Sequence, residues 1–139
     1  MSDLVSVIIP TYNHAATIRR AVESVFFQSY APIELIIVND GSTDNTGYVL
    51  DSIAKDKKYS RLNLKIVTTE NLGAPSARNR GFRESTGEFI IFWDADTTGD
   101  NRMIGKMVAV LQASPDVSYA YSGFKFGFKK FKSQKPIKE

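Results

Sequence analysis

The chain has 139 residues, 42% of them hydrophobic and 24% charged, which suits one globular domain with a core of its own. It has no cysteine and a single histidine, His14, so disulfides, thiolate metal sites, a cysteine nucleophile and multi-histidine metal centres are excluded, and a Ser-His-Asp triad is a poor fit. The net charge of +3 is concentrated at one end: six lysines face one glutamate from Phe124 onward, while residues 1–123 hold twelve basic and fourteen acidic side chains, so the domain as a whole carries no signature of nucleic-acid binding.

No basic stretch followed by a long apolar run opens the chain, and its strongest apolar run, Phe89 to Trp93, is too short to cross a bilayer. A cytoplasmic location is the expectation. Leu4 to Ile9 reads as a buried strand halted by Pro10. Asn13 is placed to cap a helix whose apolar positions Ile18, Val22, Val25 and Phe26 recur at helical spacing. Glu34 to Val38 reads as a second strand, followed by the turn-rich run Asn39-Asp40-Gly41-Ser42-Thr43-Asp44, in which Ser42 or Asp44 caps the next helix. Val49, Leu50, Ile53 and Ala54 form that helix's apolar face.

Leu62 to Thr69 alternates as a third strand, and Pro75 suits the first turn of a helix reaching about Ser85. Glu88 to Trp93 is a fourth strand, apolar enough for burial on both faces. A helix over Met103 to Leu111 follows, and Val117 to Tyr121 reads as a fifth strand. The stretch from about Ser133 carries no structural signal. Strands alternating with amphipathic helices imply right-handed crossovers and an α/β fold with a mainly parallel sheet. Ligands of such sheets sit beyond the carboxyl ends of the strands, where the strand order reverses.

The carboxyl ends of the first four strands, after Ile9, Val38, Thr69 and Trp93, carry the chemistry. Pro10-Thr11-Tyr12-Asn13 offers an aromatic ring to flank a base. Asp40 offers a carboxylate beside a glycine, and Arg78 follows Asn71 and Gly73 as a cation for phosphate. Asp94 and Asp96 offer hard oxygen donors for a divalent cation. In an extended backbone these two would point the same way, with Ala95 making room between them. Taken singly, each has a plainer reading: turn acids for Asp94 and Asp96, core for Tyr12, and a solvated helix face for Arg78, Arg80 and Arg83. His14 reads as a capping or surface residue.

The ordered set is more specific than its parts. Val7-Ile8-Ile9-Pro10-Thr11-Tyr12-Asn13, Val38-Asn39-Asp40-Gly41-Ser42-Thr43-Asp44, Asn71-Leu72-Gly73, Ala77-Arg78-Asn79-Arg80-Gly81 and Asp94-Ala95-Asp96 resemble family 2 glycosyltransferases of the GT-A fold, from about Val5 to Gly123. The resemblance implies a Rossmann-like three-layer sandwich that is incomplete at its C-terminal end. Residues 1–123 would form the nucleotide-sugar-binding part, and 124–139 a basic aromatic strand or tail of the acceptor half. It implies that Pro10 and Tyr12 wall the base, that Asp40 hydrogen-bonds it, and that Arg78 contacts base or diphosphate. Asp94 would face ribose or sugar, and Asp96 would bind Mg²⁺ or Mn²⁺ as the last acid of the family's DxD motif.

The implied activity is metal-assisted transfer of a sugar, with inversion, from a nucleotide sugar to an acceptor glycan or lipid-linked glycan. UDP is the family's usual carrier, and dTDP or GDP would use the same loops. The general base that takes the acceptor's proton is expected beyond Glu139, so no catalytic residue is assigned here and the isolated chain is expected to transfer poorly. The alternative is a non-catalytic nucleotide-binding or scaffold module with a transferase-like fold. No glycine-rich phosphate loop follows the first strand, which argues against nucleotidyltransferases, dinucleotide oxidoreductases and P-loop enzymes. In the tail, phenylalanines at Phe124, Phe126 and Phe128 suggest a strand with one apolar face. Its lysines also suit peripheral contact with the cytoplasmic face of an anionic membrane, whereas a nucleic-acid partner finds no further support.

Overall fold

The structure, a computed structural model, describes residues 3–126 and 132–134. Its centre is a sheet of four parallel strands: β1 (Val5–Thr11), β2 (Ile33–Asp40), β3 (Leu64–Thr69) and β4 (Phe89–Phe92), in the order β3-β2-β1-β4. Every residue of β2, and every residue of β1 but Pro10, is buried, as their β-branched and aliphatic composition requires of central strands covered on both faces. The order runs outward from β1 to β3 on one side and jumps to β4 on the other. The reversal therefore lies between β1 and β4.

Three layers result. Helices α1 (Ile18–Phe26), α2 (Thr46–Lys55) and α4 (Met103–Ala113) cover one face, burying Ile18, Val22, Val25, Leu50, Ile53, Ile104 and Val108 with Val5, Val7, Ile9, Leu35 and Ile37. Helix α3 (Ala74–Glu84) covers the other, where Ala77 meets Ile8, Ile36 and Val38. It comes this close because of Gly81: a Cβ there would stand 2.3 Å from Ile8 Cγ2. The α/β architecture with an all-parallel main sheet matches the sequence expectation. No helix among the described residues is long and apolar enough to cross a membrane.

Several details depart from it. Pro10 does not halt β1, whose pairing with β2 continues to Thr11↔Asn39. What Pro10 ends is the pairing with β4. Trp93 N–H donates to Ile8 O at 2.9 Å, so the main-chain groups of Ile8 face β4, as would those of Pro10 two residues later. Proline has no N–H to extend that ladder, and the β1–β4 register stops at Ile8↔Phe92. Beyond it the two strands separate.

The third strand begins at Leu64, because Lys57–Leu62 closes into a 3-10 helix. The expectation that β4 is buried on both faces is corrected: Phe89, Ile90 and Ile91 are half-buried and Phe92 is 51% exposed. Among the described residues β4 is an edge strand, paired with β1 alone. Val117 to Tyr121 forms no strand; Tyr119 and Tyr121 stack with ring centroids 6.5 Å apart and remain largely exposed. Strand propensity expresses packing on a covered sheet face, which these rings lack. Phe124–Phe126 and Lys132–Gln134 pair antiparallel as β5 and β6, so the strand reading of the tail holds for this backbone, and Ser133 lies within a strand. The alternating phenylalanine face, the membrane-contact reading and the end of the chain after Gln134 fall outside the described residues.

Candidate functional site

The crevice where β1 and β4 part is a cleft of about 290 Å³. Its lining includes all six residues that the sequence nominates: Pro10, Tyr12, Asp40, Arg78, Asp94 and Asp96. Four separate segments deliver them, each at or just past the carboxyl end of a strand.

Pro10 and Tyr12 form the wall beneath β1, Pro10 half-buried and Tyr12 41% exposed with its ring available to the cleft. Asp40 ends β2 and is buried. Its Oδ1 accepts from Leu72 N–H at 3.0 Å and from the Thr69 hydroxyl at 3.3 Å, and its Oδ2 accepts from Gly73 N–H at 2.8 Å. Asp40 therefore holds the loop between β3 and α3 in place. A carboxylate has room for about four acceptor bonds, so capacity toward a ligand remains. Gly41 lets the two loops touch: its φ is +69°, and a Cβ would stand 2.8 Å from Asn71 N.

Gly73, at φ +91°, turns the chain into α3, with Pro75 in the first turn. Ala74 and Ala77 border the cleft, so the amino-terminal turn of this helix faces it, and that end of a helix favours anions. Arg78 reaches across from α3 and donates Nη2 to Asp94 Oδ1 at 3.2 Å.

Asp94 and Asp96 are both exposed, with buried Ala95 between them. The backbone there is a turn and not the extended strand expected: Thr97 N–H donates to Asp94 O at 3.0 Å. Trp93, buried beneath, fixes this turn by donating Nε1–H to Thr97 O at 3.0 Å. Gly99 packs over its ring, where a Cβ would stand 2.5 Å from Cη2. Both acids still border the cleft. Among the described residues no three His, Cys, Asp or Glu side chains gather as a metal site, so two carboxylates on one turn are the available hard donors.

Some residues at the site escaped the sequence reading. Thr11, His14, Ala74, Ala77 and Ala95 also line the cleft, and His14 Nδ1 accepts from Tyr12 N–H at 3.4 Å. Trp93 was legible only as part of an apolar run. Asn13 does not cap α1, whose N-cap is Thr17 without a side-chain bond; it takes φ +57° and turns toward the loop after β2. The N-cap of α2 is Asn45, which makes no side-chain cap bond, rather than Ser42 or Asp44; Asp44 instead holds the first residue of that helix, its Oδ1 accepting from Thr46 N–H at 2.9 Å. The Thr46 hydroxyl, with the N–H groups of Thr46 and Ala15, holds the Asp44 carboxyl below its usual range against the opposing effect of desolvation.

The profile of Glycosyl transferase family 2 matches residues 6–138. An uncharacterized glycosyltransferase of Nostoc sp. is 39% identical over 113 residues, 79% of this chain and 33% of that protein. A UDP-Glc:alpha-D-GlcNAc-diphosphoundecaprenol beta-1,3-glucosyltransferase of Escherichia coli, WfgD, is 32% identical over 87% of this chain and 46% of its own. Among solved structures, the mannosyltransferase PcManGT from Pyrobaculum calidifontis in complex with GDP-Man and Mn²⁺ superposes with a TM-score of 0.75 and 32% identity, over 81% of this chain and 33% of that one. Residues 1–349 of Staphylococcus aureus TarS in complex with UDP-GlcNAc give a TM-score of 0.69 and 29% identity, over 78% of this chain and 31% of that one. The chain thus spans about a third of the Nostoc relative and of these two structures.

Proposed function

From the premise that this chain belongs to glycosyl transferase family 2, we propose that its cleft binds the nucleoside diphosphate of a nucleotide sugar, with a UDP-linked hexose as the donor. One observation carries the reading: an aromatic ring, three carboxylates, a guanidinium and a helix amino terminus converge from four strand ends on one cleft. Support comes from TarS, solved with UDP-GlcNAc, and from PcManGT, solved with GDP-Man and Mn²⁺.

In this reading Pro10 and Tyr12 hold the base, Tyr12 by its exposed ring face, and Asp40 accepts a hydrogen bond from it while anchoring the neighbouring loop. Arg78 exchanges Asp94 for the diphosphate, aided by the first turn of α3. Asp94 then turns to ribose or sugar, and Asp96 supplies the protein's oxygen to Mg²⁺ or Mn²⁺. The donor set fits such an ion: these are hard oxygens, and Mg²⁺ in particular is usually held by one or two carboxylates completed by water and phosphate. When bound, the cation neutralises charge on the departing diphosphate as a Lewis acid.

The transfer itself, with inversion to a glycan or lipid-linked glycan acceptor at the cytoplasmic face of a membrane, is proposed for the whole protein. The acceptor class is suggested by the diphosphoundecaprenol-linked substrate in the name of WfgD. All three cleft carboxylates have donor-side duties, so removal of the acceptor's proton is assigned to a group outside this set. Calorimetric titration of UDP, with and without Mn²⁺, into the native chain and Asp96→Ala tests the donor reading. Binding should require both the ion and Asp96. Equal affinity in all four titrations sinks the metal assignment, and the absence of UDP binding throughout sinks the donor site.

A further inference from the structure

We propose that Asn13 is a positioning residue for the cleft: it clamps the loop that carries Tyr12 onto the loop after Asp40, and so presents the base-binding wall already formed. The proposal rests on the donor-site reading above. Asn13 lies where the chain leaves β1, at φ +57°, a conformation that asparagine and glycine adopt far more readily than other residues. This turn carries its side chain over Ser42, Thr43 and Asp44.

The bonding there is dense. Asn13 Oδ1 accepts from Thr43 N–H at 2.8 Å and Asp44 N–H at 3.2 Å, and Nδ2 donates to Thr43 Oγ1 at 3.3 Å. Its main-chain N–H donates to Ser42 Oγ at 3.0 Å. The next two residues continue the seam, with His14 N–H donating to Thr46 Oγ1 at 2.9 Å and Ala15 N–H to Asp44 Oδ2 at 3.2 Å.

Apolar packing does little to hold this segment. Tyr12 and Asn13 are both exposed, and so are Thr43 and Asp44. The polar seam is therefore what orders the chain between buried Thr11 and the start of α1. Tyr12, the aromatic residue of the cleft wall, sits in that stretch. A wall ordered before binding spares the ligand the entropy of ordering it. A wall competent only a tenth of the time weakens apparent affinity about tenfold.

Asn13 combines two properties that substitution separates. Asn13→Gly keeps access to positive φ and the main-chain bond to Ser42 while removing the side-chain bonds of the clamp, whereas Asn13→Ala removes the same bonds and strains the backbone. With Mn²⁺ present, Asn13→Gly should bind UDP about tenfold more weakly than the native chain. Asn13→Ala should match that loss of affinity and show a further loss of thermal stability. In the free Gly variant the amide hydrogens of Thr43 and Asp44 should exchange faster with solvent, and UDP should slow them again, while those of β1 and β2 keep native protection.

A purely structural role would lower stability and leave the affinity of the folded protein unchanged. Should Asn13→Gly fail to fold, Ser42→Ala removes one bond of the seam and is expected to weaken UDP binding about threefold. Native affinity in the folded variants overturns the clamp, and so does weakened binding with unchanged exchange at Thr43 and Asp44. A native chain that does not bind UDP overturns the donor-site reading, and the clamp with it. The native titration separates that failure from the others.

Discussion

Arg78 and Asp94 face each other across the mouth of the cleft, with Nη2 and Oδ1 3.2 Å apart. The side chains are 39% and 63% exposed, so solvent screening leaves the pair worth about 0–1 kcal/mol. On the donor-site reading, the diphosphate displaces Asp94 from this pairing. Arg78→Ala should therefore change stability to denaturant by less than about 1 kcal/mol. It should weaken UDP binding roughly ten- to hundredfold, the scale of a charge-assisted hydrogen bond of about 1.5–3 kcal/mol. Unchanged affinity in calorimetry would return Arg78 to the solvated face of α3.

The scarcity of protein donors around Asp94 and Asp96 predicts an order of events. Mn²⁺ alone should bind weakly, with a dissociation constant on the order of a millimolar, because water must fill most of its shell. UDP should tighten Mn²⁺ binding by at least about tenfold, since linkage is reciprocal. Water-proton relaxation with Mn²⁺, with and without UDP, measures both constants, and tight binding of the ion alone would point to protein ligands beyond these two.

Glu34 is one carboxyl through which stability should depend on acid pH. Its buried carboxylate accepts from the Ser6 hydroxyl, from Thr86 N–H and hydroxyl, and from Gly87 N–H. Burial alone would raise its pKa, but these donors outweigh burial and hold it below the ordinary 4.5. A carboxyl depressed in the folded state contributes stability above its unfolded pKa and loses it as pH falls through the folded one. Stability measured by urea titration should thus fall below about pH 4.5. Glu34→Gln should cost about 1–3 kcal/mol at neutral pH and flatten this acid limb.

Gly81 sets the distance between α3 and β1. A methyl group at this position would stand 2.3 Å from Ile8 Cγ2, so Gly81→Ala must push the helix outward, at a cost of about 1–3 kcal/mol by denaturant titration. Arg78 lies one turn earlier on the same helix, so UDP affinity should fall as well, by a few-fold. Full stability in this variant would show that α3 accommodates the methyl without moving.

The strands and helices of the first 113 residues were legible because their apolar periodicities agree with their final faces, Val5 to Ile9 and Ile18 to Val25 being clear cases. The six nominated residues of the cleft were legible because parallel topology dictates where strand ends converge. What escaped were relationships between segments. Whether β4 is an interior or an edge strand depends on its neighbours, which its own composition does not encode. Nothing in Asn13 distinguishes a helix cap from a clamp on a loop some thirty residues later, because asparagine suits both. The Asp94 to Thr97 turn depends on the Trp93 indole, whose inward direction follows from packing.

Glu34 and Asp40 occupy opposite ends of β2, separated by about 20 Å of strand. The polar lock that secures the fold and the loops that line the cleft therefore share a strand but no contacts among those described. Changes to the loop end can accumulate without unsettling the other. A scaffold built this way can vary the side chains that line its cleft while its folding end stays fixed.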